Sequence, residues 1–324
     1  MMLKTNVEST QHIISKSALR KIEQIEAICG RDIGNGIEPL VKAAKGGLLG
    51  AARSIAEHPC PHVAIMTGFF IPHGTPPAAE TDGPIGCAHL AVALQQAGVP
   101  VRLVTDSLCL NAVKVSALAA GLSPHTPFDV VPIEAKDGND VSIATILDQW
   151  KNVASPVSHV IAIERAGPSS DGTVRNIHGN DITPYTAPLH QLFDLDNIIS
   201  IGIGDLGNEL GMATLSKELI ARTIKLGEKI ACDIPCNYPI VCGVSNWGAI
   251  GLVVALALLR KDWNPQLVKS LTLETDKHIL KTLVYEGPAV DGDSSTQALT
   301  IETFPWDYHA EVIMEILTVA QLSS

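Results

Sequence analysis

Short apolar runs alternate along residues 62–204 with longer stretches whose apolar residues recur every three or four positions. "HVAIMTGFF" (62–70), "VPVRLVTD" (99–106), "FDVVPIE" (128–134), "SHVIAIERAG" (158–167) and "NIISIGIG" (197–204) are too short and too β-branched for helices and read as strands. Between them, "GPIGCAHLAVALQQAG" (83–98), "SLCLNAVKVSALAAG" (107–121) and "DVSIATILDQW" (140–150) read as helices, the first two closed by a glycine. The pattern continues with a helix over 206–226, the runs "KIACDI" (229–234) and "YPIVCGVS" (238–245), and helices over 247–260 and 264–284. Residues 10–57 read as helical, most clearly in "SKSALRKIEQIEAIC". Strands alternating with helices specify βαβ units: a mostly parallel, Rossmann-like sheet with helices on both faces. With no linker or repeat in view, residues 1–36 form an N-terminal helical extension and 37–324 a single α/β domain.

Two connections exceed ordinary turns: "FFIPHGTPPAAETDG" (69–83) and "AGPSSDGTVRNIHGNDITPYTAPLH" (166–190). Polar loops of this length are typically binding loops or lids. In parallel sheets ligands bind at the carboxyl ends of the strands, and three junctions of that kind stand out. One runs from Thr67 and Gly68 through Glu80 and Asp82 to the helix at 83; one is "GIGDLGNELG", with Asp205, Asn208 and Glu209; one is "CGVSNWG", with Ser245 and Asn246. Each is expected to leave free amides at a helix start, a natural anion site. The plainer reading of each is a tight turn with an Asp or Asn cap.

Gly202, Gly204 and Gly207 satisfy the spacing G-x-G-x-x-G, with Asp233 as the acid that would hold a ribose. An NAD(P)-dependent oxidoreductase is therefore one alternative, although Asp205 and Glu209 would repel a pyrophosphate. Four residues apart, those two acids would share a helical face and suit a hard divalent cation or acid–base chemistry. A non-catalytic amino-acid-binding protein is the other alternative.

Composition narrows the field. Apolar residues make up 46% and aromatics 4%, so small aliphatic side chains fill the core. A net charge of −11 without a basic run argues against nucleic acid. Seven scattered cysteines suit a reduced compartment, and Cys232, Cys236 and Cys242 match no common zinc spacing. "GAIGLVVALALL" is too short to span a bilayer and the start has no signal-peptide pattern, so a cytoplasmic protein without a membrane partner is expected. The oligomeric state is left open, a homo-oligomer being compatible.

Taken together and in order, "MTGFFIP", "PAAETDGPIGCAHLA", "IAIERAGPSSDGTVRNIHG", "IGIGDLGNELGMA", "CGVSNWGAIGL" and "VYEGPAVDGDS" resemble the D-glutamate cyclase family, from about Ile37 to the C-terminus. The resemblance implies reversible, ATP-independent dehydration of D-glutamate to 5-oxo-D-proline, a lyase reaction. It makes Mn²⁺ or Mg²⁺ plausible and no nucleotide expected. Ring closure needs a base for the substrate ammonium and an acid or cation to activate the γ-carboxylate. Chemistry then nominates Glu80, Asp82, Asp205, Glu209 and His178 as catalytic, with Asp205 and Glu209 also as metal ligands. Thr67, Gly68, Arg165, Asn176, Asn208, Ser245 and Asn246 are nominated for substrate binding, with Arg165 as a carboxylate clamp. Asp291 either reaches the site or braces a turn.

Overall fold

The computed structural model describes residues 14–133 and 136–321. It opens with helices α1 (Lys16–Cys29), α2 (Glu38–Ala43) and α3 (Gly47–Ala56), followed by β1 (Val63–Thr67) and a small hairpin, β2 (Phe70–Ile71) and β3 (Ala78–Ala79). Next come α4 (Pro84–Gln96), β4 (Val101–Asp106), α5 (Leu110–Ala119), β5 (Phe128–Val131), α6 (Lys136–Lys151) and β6 (His159–Ile163). The last part holds β7 (Ile199–Gly204), α7 (Lys217–Thr223), α8 (Gly227–Ile230), β8 (Tyr238–Val241), α9 (Ser245–Leu259), α10 (Asn264–Val268) and α11 (Leu273–Tyr285). A second hairpin, β9 (Thr300–Ile301) and β10 (Phe304–Pro305), leads into α12 (Trp306–Ala320).

Six strands form one sheet in the order β5-β4-β1-β6-β7-β8, every pair parallel. Chain direction across the sheet reverses between β1 and β6, so a crevice opens there beyond the strand ends. Alternate residues of each strand serve opposite faces. Val63 and Ile65 join the larger core with α4, α5 and α9, whereas Ala64 and Met66 pack with Ile143, Ile146 and Trp150 of α6 and with Phe193. Burial on both faces explains why the strands read as unbroken apolar runs. α9 is apolar all round because it runs through the centre of the larger core, packed on α1, α3, α4, α10 and α12. Ile22, Ile25 and Cys29 of α1 are buried in the same core.

Four segments differ from expectation. The 10–57 stretch is three short helices, its residues 10–13 lying outside the described residues, as does Glu134 of the third strand. The 264–284 stretch is two helices, broken around Ser270. Most consequentially, no helix follows β7 directly. Residues 205–216 form a chain of turns, with Gly207 and Gly211 in the left-handed region at φ 90° and 99°, and α7 begins only at Lys217. "KIACDI" likewise is not a strand: it contains the end of α8 and an irregular segment.

Candidate active site

The strand ends around the crevice carry the chemistry. β6 runs into Glu164 and Arg165, β7 into Asp205, and β8 into Ser245 at the start of α9, while Glu80 and Asp82 follow β3. Segments near positions 80, 164, 205 and 245, far apart in the chain, thus meet.

Two pieces of local chemistry hold them. Asp82 lies just before α4 and caps α9: its carboxylate accepts from the amides of Ser245 and Asn246, each at 2.8 Å. Asn246, in the first turn of α9, returns the bond. Its Oδ1 accepts from the amides of Gly83 (3.0 Å) and Gly86 (2.7 Å), and its Nδ2 donates to the Thr81 carbonyl. The two helix starts are therefore tied to each other. After β7, Glu209 folds back over its own turn. Its Oε1 accepts from the amides of Asp205 (3.1 Å) and Leu206 (2.9 Å), and its Oε2 from that of Gly207 (2.8 Å).

This fold-back explains the glycine spacing. A Cβ at Gly204 would lie 2.7–2.9 Å from the Glu209 side chain, and one at Gly202 would lie 2.4 Å from the Leu210 carbonyl oxygen. The glycines admit the returning loop, and the amides a pyrophosphate would use are already bonded to Glu209. The amides expected to be free at all three junctions are bonded to the protein's own side chains. Asp205 and Glu209 do not share a helical face, since their segment is not helical.

Facing the crevice is a cavity of about 110 Å³. Glu80, Glu164, Asp205, Asn176, His178 and Asn208 line it, together with Phe69–His73 from the first long loop and Asp293 and Glu302 from near the C-terminus. No lysine or arginine is among these lining residues. Asp82, Glu209, Ser245 and Asn246 stand behind the wall as braces, with the Ser245 hydroxyl donating to Glu164 Oε2 at 2.7 Å. Thr67 is fully buried with its hydroxyl unpartnered, and Gly68 offers its carbonyl to Arg165. His178 is exposed at the rim, and Asn176 accepts from the amides of His178 and Asn180 in a local turn.

Arg165 has another role than the clamp expected of it. Its guanidinium is buried, paired with Asp106 at 2.5 Å, and donates to the carbonyls of Gly68 and Ala187. It ties three loops together and does not line the cavity. Asp291 braces a turn, accepting from the amides of Ser294 and Thr303.

Electrostatically the chamber is one-sided. Burial pushes the Glu80 carboxyl well above the ordinary range, with Glu164 and Glu302 adding to it. Burial does the same to Glu164, reinforced by Glu209 and Asp82, and to Asp205, reinforced by Glu164 and Glu209. Glu302 is raised by burial and by Asp82 and Asp293. Asp82 is raised by burial to about 6, restrained by the amides it accepts. Burial and mutual repulsion thus raise the proton affinity of each of these groups, and a bound cation would lower it again.

Among the described residues, Glu164, Asp205 and Glu209 form the group of acids whose ligand oxygens all lie within 4.8 Å of one another. Two acceptors at the cavity, Glu80 Oε1 and Asn208 Oδ1, are buried without a hydrogen-bond partner. The hard oxygen donors of Glu164, Asp205 and Glu209 fit a divalent cation of the Mg²⁺ or Mn²⁺ type. Cys232, Cys236 and Cys242 are free thiols and form no such group.

Glu164 and Glu302 were not among the nominated residues. Glu164 reads in sequence as an ion-pair partner of Arg165, yet its backbone sits at φ 44°, a left-handed conformation costly for a glutamate. That strain is invisible before the fold is known.

A parallel α/β sheet with an acid-lined chamber at its reversal point is a candidate small-molecule site. The chain belongs to the family described as D-glutamate cyclase-like, C-terminal, whose model matches residues 25–317. It is 35% identical over 257 residues to the human protein D-glutamate cyclase, mitochondrial, a match covering 76% of this chain and 40% of that one. The chain thus spans about two fifths of that relative's length. No helix among the described residues is long and apolar enough to cross a membrane.

Proposed function

We propose that this chain is a D-glutamate cyclase, a lyase that interconverts D-glutamate with 5-oxo-D-proline and water without a nucleotide. The observation carrying this reading is the chamber itself: buried carboxyls of raised proton affinity converging from separate segments, with no lysine or arginine among the lining residues. Family membership supplies the substrate class.

The reaction balances without redox or phosphoryl chemistry. The amine nitrogen bonds to the γ-carboxyl carbon and one C–O bond breaks. Two protons leave the nitrogen and two join the departing oxygen, which becomes water. Carboxyls with raised proton affinity suit both halves of that traffic near neutral pH. Glu80 faces the cavity outside the candidate metal triad and serves as the proton carrier. The hydrogen bond from Ser245 orients Glu164, and Asp82 and Glu209 fix the walls through backbone amides. Confinement in a small chamber favours the folded substrate over its extended forms.

A dicarboxylate entering this chamber meets acids and few donors, so its carboxylates need a cation. Glu164, Asp205 and Glu209 would hold Mn²⁺ or Mg²⁺, which when bound supplies Lewis acidity toward a carboxylate oxygen.

The test is incubation of the purified protein with D-glutamate and Mn²⁺ in the absence of nucleotide, followed by chiral chromatography. The expected product is 5-oxo-D-proline, with L-glutamate a poor substrate and Glu164→Gln inactive. Absence of product in both directions overturns the reading, and saturable binding without turnover leaves an amino-acid-binding protein.

A further inference from the structure

We propose that Glu80 and Glu302, converging over Gly292, form the subsite that receives the substrate's ammonium group. This deepens the cyclase reading and rests on it. The residues come from distant segments, and only the fold brings them together.

A Cβ placed on Gly292 would lie 2.4 Å from Glu80 Oε2 and 3.3 Å from Glu302 Oε1, so both carboxyls crowd one point. A side chain there would press on the Glu80 carboxyl and push it from its place. Both acids line the cavity and are almost fully buried, Glu80 at 6% exposure and Glu302 at 9%. The backbone holds them in place. The Thr81 amide donates to the Val290 carbonyl, the Val290 amide to the Ala79 carbonyl, and the Thr81 hydroxyl to the Thr300 carbonyl.

Glu302 sits in the two-residue turn joining β9 and β10. There it and Thr303 adopt φ 52° and 63°, where Asn-Gly would be unstrained. Asp291 accepts from the Thr303 amide and fixes that turn.

What the subsite lacks identifies its ligand. Glu80 Oε1 is buried in the cavity wall with no donor, and Asn208 Oδ1 is orphaned in the same cavity. Asn208 Oδ1 can only accept, and Glu80 Oε1 accepts once a cation takes the place of its proton, so a cationic N–H donor satisfies both. The candidate metal triad lies with Glu164, Asp205 and Glu209, and neither Glu80 nor Glu302 belongs to a three-ligand group among the described residues. A compact cation that donates several N–H bonds, an alkylammonium, answers both conditions.

The same chemistry separates substrate from product. D-Glutamate presents an ammonium, whereas the ring nitrogen of 5-oxo-D-proline is a neutral amide with one N–H. The pair should hold the open form and release the ring.

The experiment compares KM in the two directions for wild type, Glu302→Gln, Glu302→Asp and Gly292→Ala, in Mn²⁺, with thermal unfolding as the folding control. Glu302→Gln and Gly292→Ala are expected to raise KM for D-glutamate at least tenfold and leave KM for 5-oxo-D-proline within twofold, with Glu302→Asp closer to wild type. Equal movement of both constants, or of neither, overturns the subsite. Where a protein shows no turnover, calorimetry with D-glutamate and glutarate decides. Tighter binding of D-glutamate by wild type, erased in Glu302→Gln, supports the ammonium site, and equal binding by wild type rejects it. An inactive wild type that keeps this preference discards the reaction and not the subsite.

Discussion

Replacing Glu209 with Gln tests how the turn after β7 is built. The native carboxylate accepts three backbone amides, two at Oε1 and one at Oε2. A carboxamide has one oxygen. If it stays with Asp205 and Leu206, its NH₂ faces the Gly207 amide, donor against donor. One buried amide left unpaired costs about 1–3 kcal/mol, and loss of charge assistance at the other two costs roughly 0.5–1 kcal/mol each. Burial raises the proton affinity of Glu164 and Asp205 in metal-free protein, which limits the repulsion relieved in return. The net expectation is a loss of about 3 kcal/mol, which at a slope of about 3 kcal/mol/M lowers the urea midpoint by about 1 M. Equilibrium urea unfolding at pH 7 in EDTA, followed by far-ultraviolet circular dichroism, reads it directly. A Glu209→Gln protein within 0.5 kcal/mol of wild type would refute the fold-back account, since 0.5 is the usual scale of a neutral surface change. The turn's amides would then be available to a pyrophosphate after all.

Three further outcomes follow from the same geometry. Burial raises the Asp82 carboxyl from 3.8 to about 6, so the folded state binds its proton more tightly than the unfolded state. Its contribution is fully present below pH 3.8 and is lost as pH rises through about 6, so in EDTA wild type should lose about 3 kcal/mol relative to Asp82→Asn across that window; a wild type that gains stability relative to the variant as pH rises refutes it. Mn²⁺ at a hundredfold excess over its dissociation constant should add about 2.7 kcal/mol, a rise of several degrees in Tm. Glu164→Gln should remove most of that rise, and equal shifts in both proteins would place the ion elsewhere. Arg165→Met should cost about 3–5 kcal/mol by stranding Asp106. The folded fraction should keep the wild-type KM for D-glutamate, whereas a KM rise without a stability loss would restore the carboxylate clamp.

The parallel sheet was legible because strands buried on both faces, such as "HVAIMTGFF" and "NIISIGIG", leave short β-branched apolar runs that alternate with longer helical stretches. The convergence of Asp82, Asp205 and Ser245 was legible for a related reason: strand-to-helix junctions of parallel units share one edge. The 206–226 helix was a misreading, because its apolar spacing is helical while Gly207 and Gly211 turn the backbone left-handed. The supposed free amides failed on a longer-range effect. Asp82 reaches 163 positions along the chain to cap α9, and no local pattern reports that. Glu302 lay in a stretch assigned no element. Its importance comes from a hairpin that only tertiary contacts stabilise.

The raised proton affinity of the chamber ties occupancy to acidity. A divalent ion entering competes with hydrogen ions for its carboxyls, so filling the pocket is expected to acidify an unbuffered solution. Hydrogen ions and metal then compete for the same oxygens. A drop in surrounding pH and a shortage of metal would empty the chamber in the same way, making its readiness a joint gauge of both.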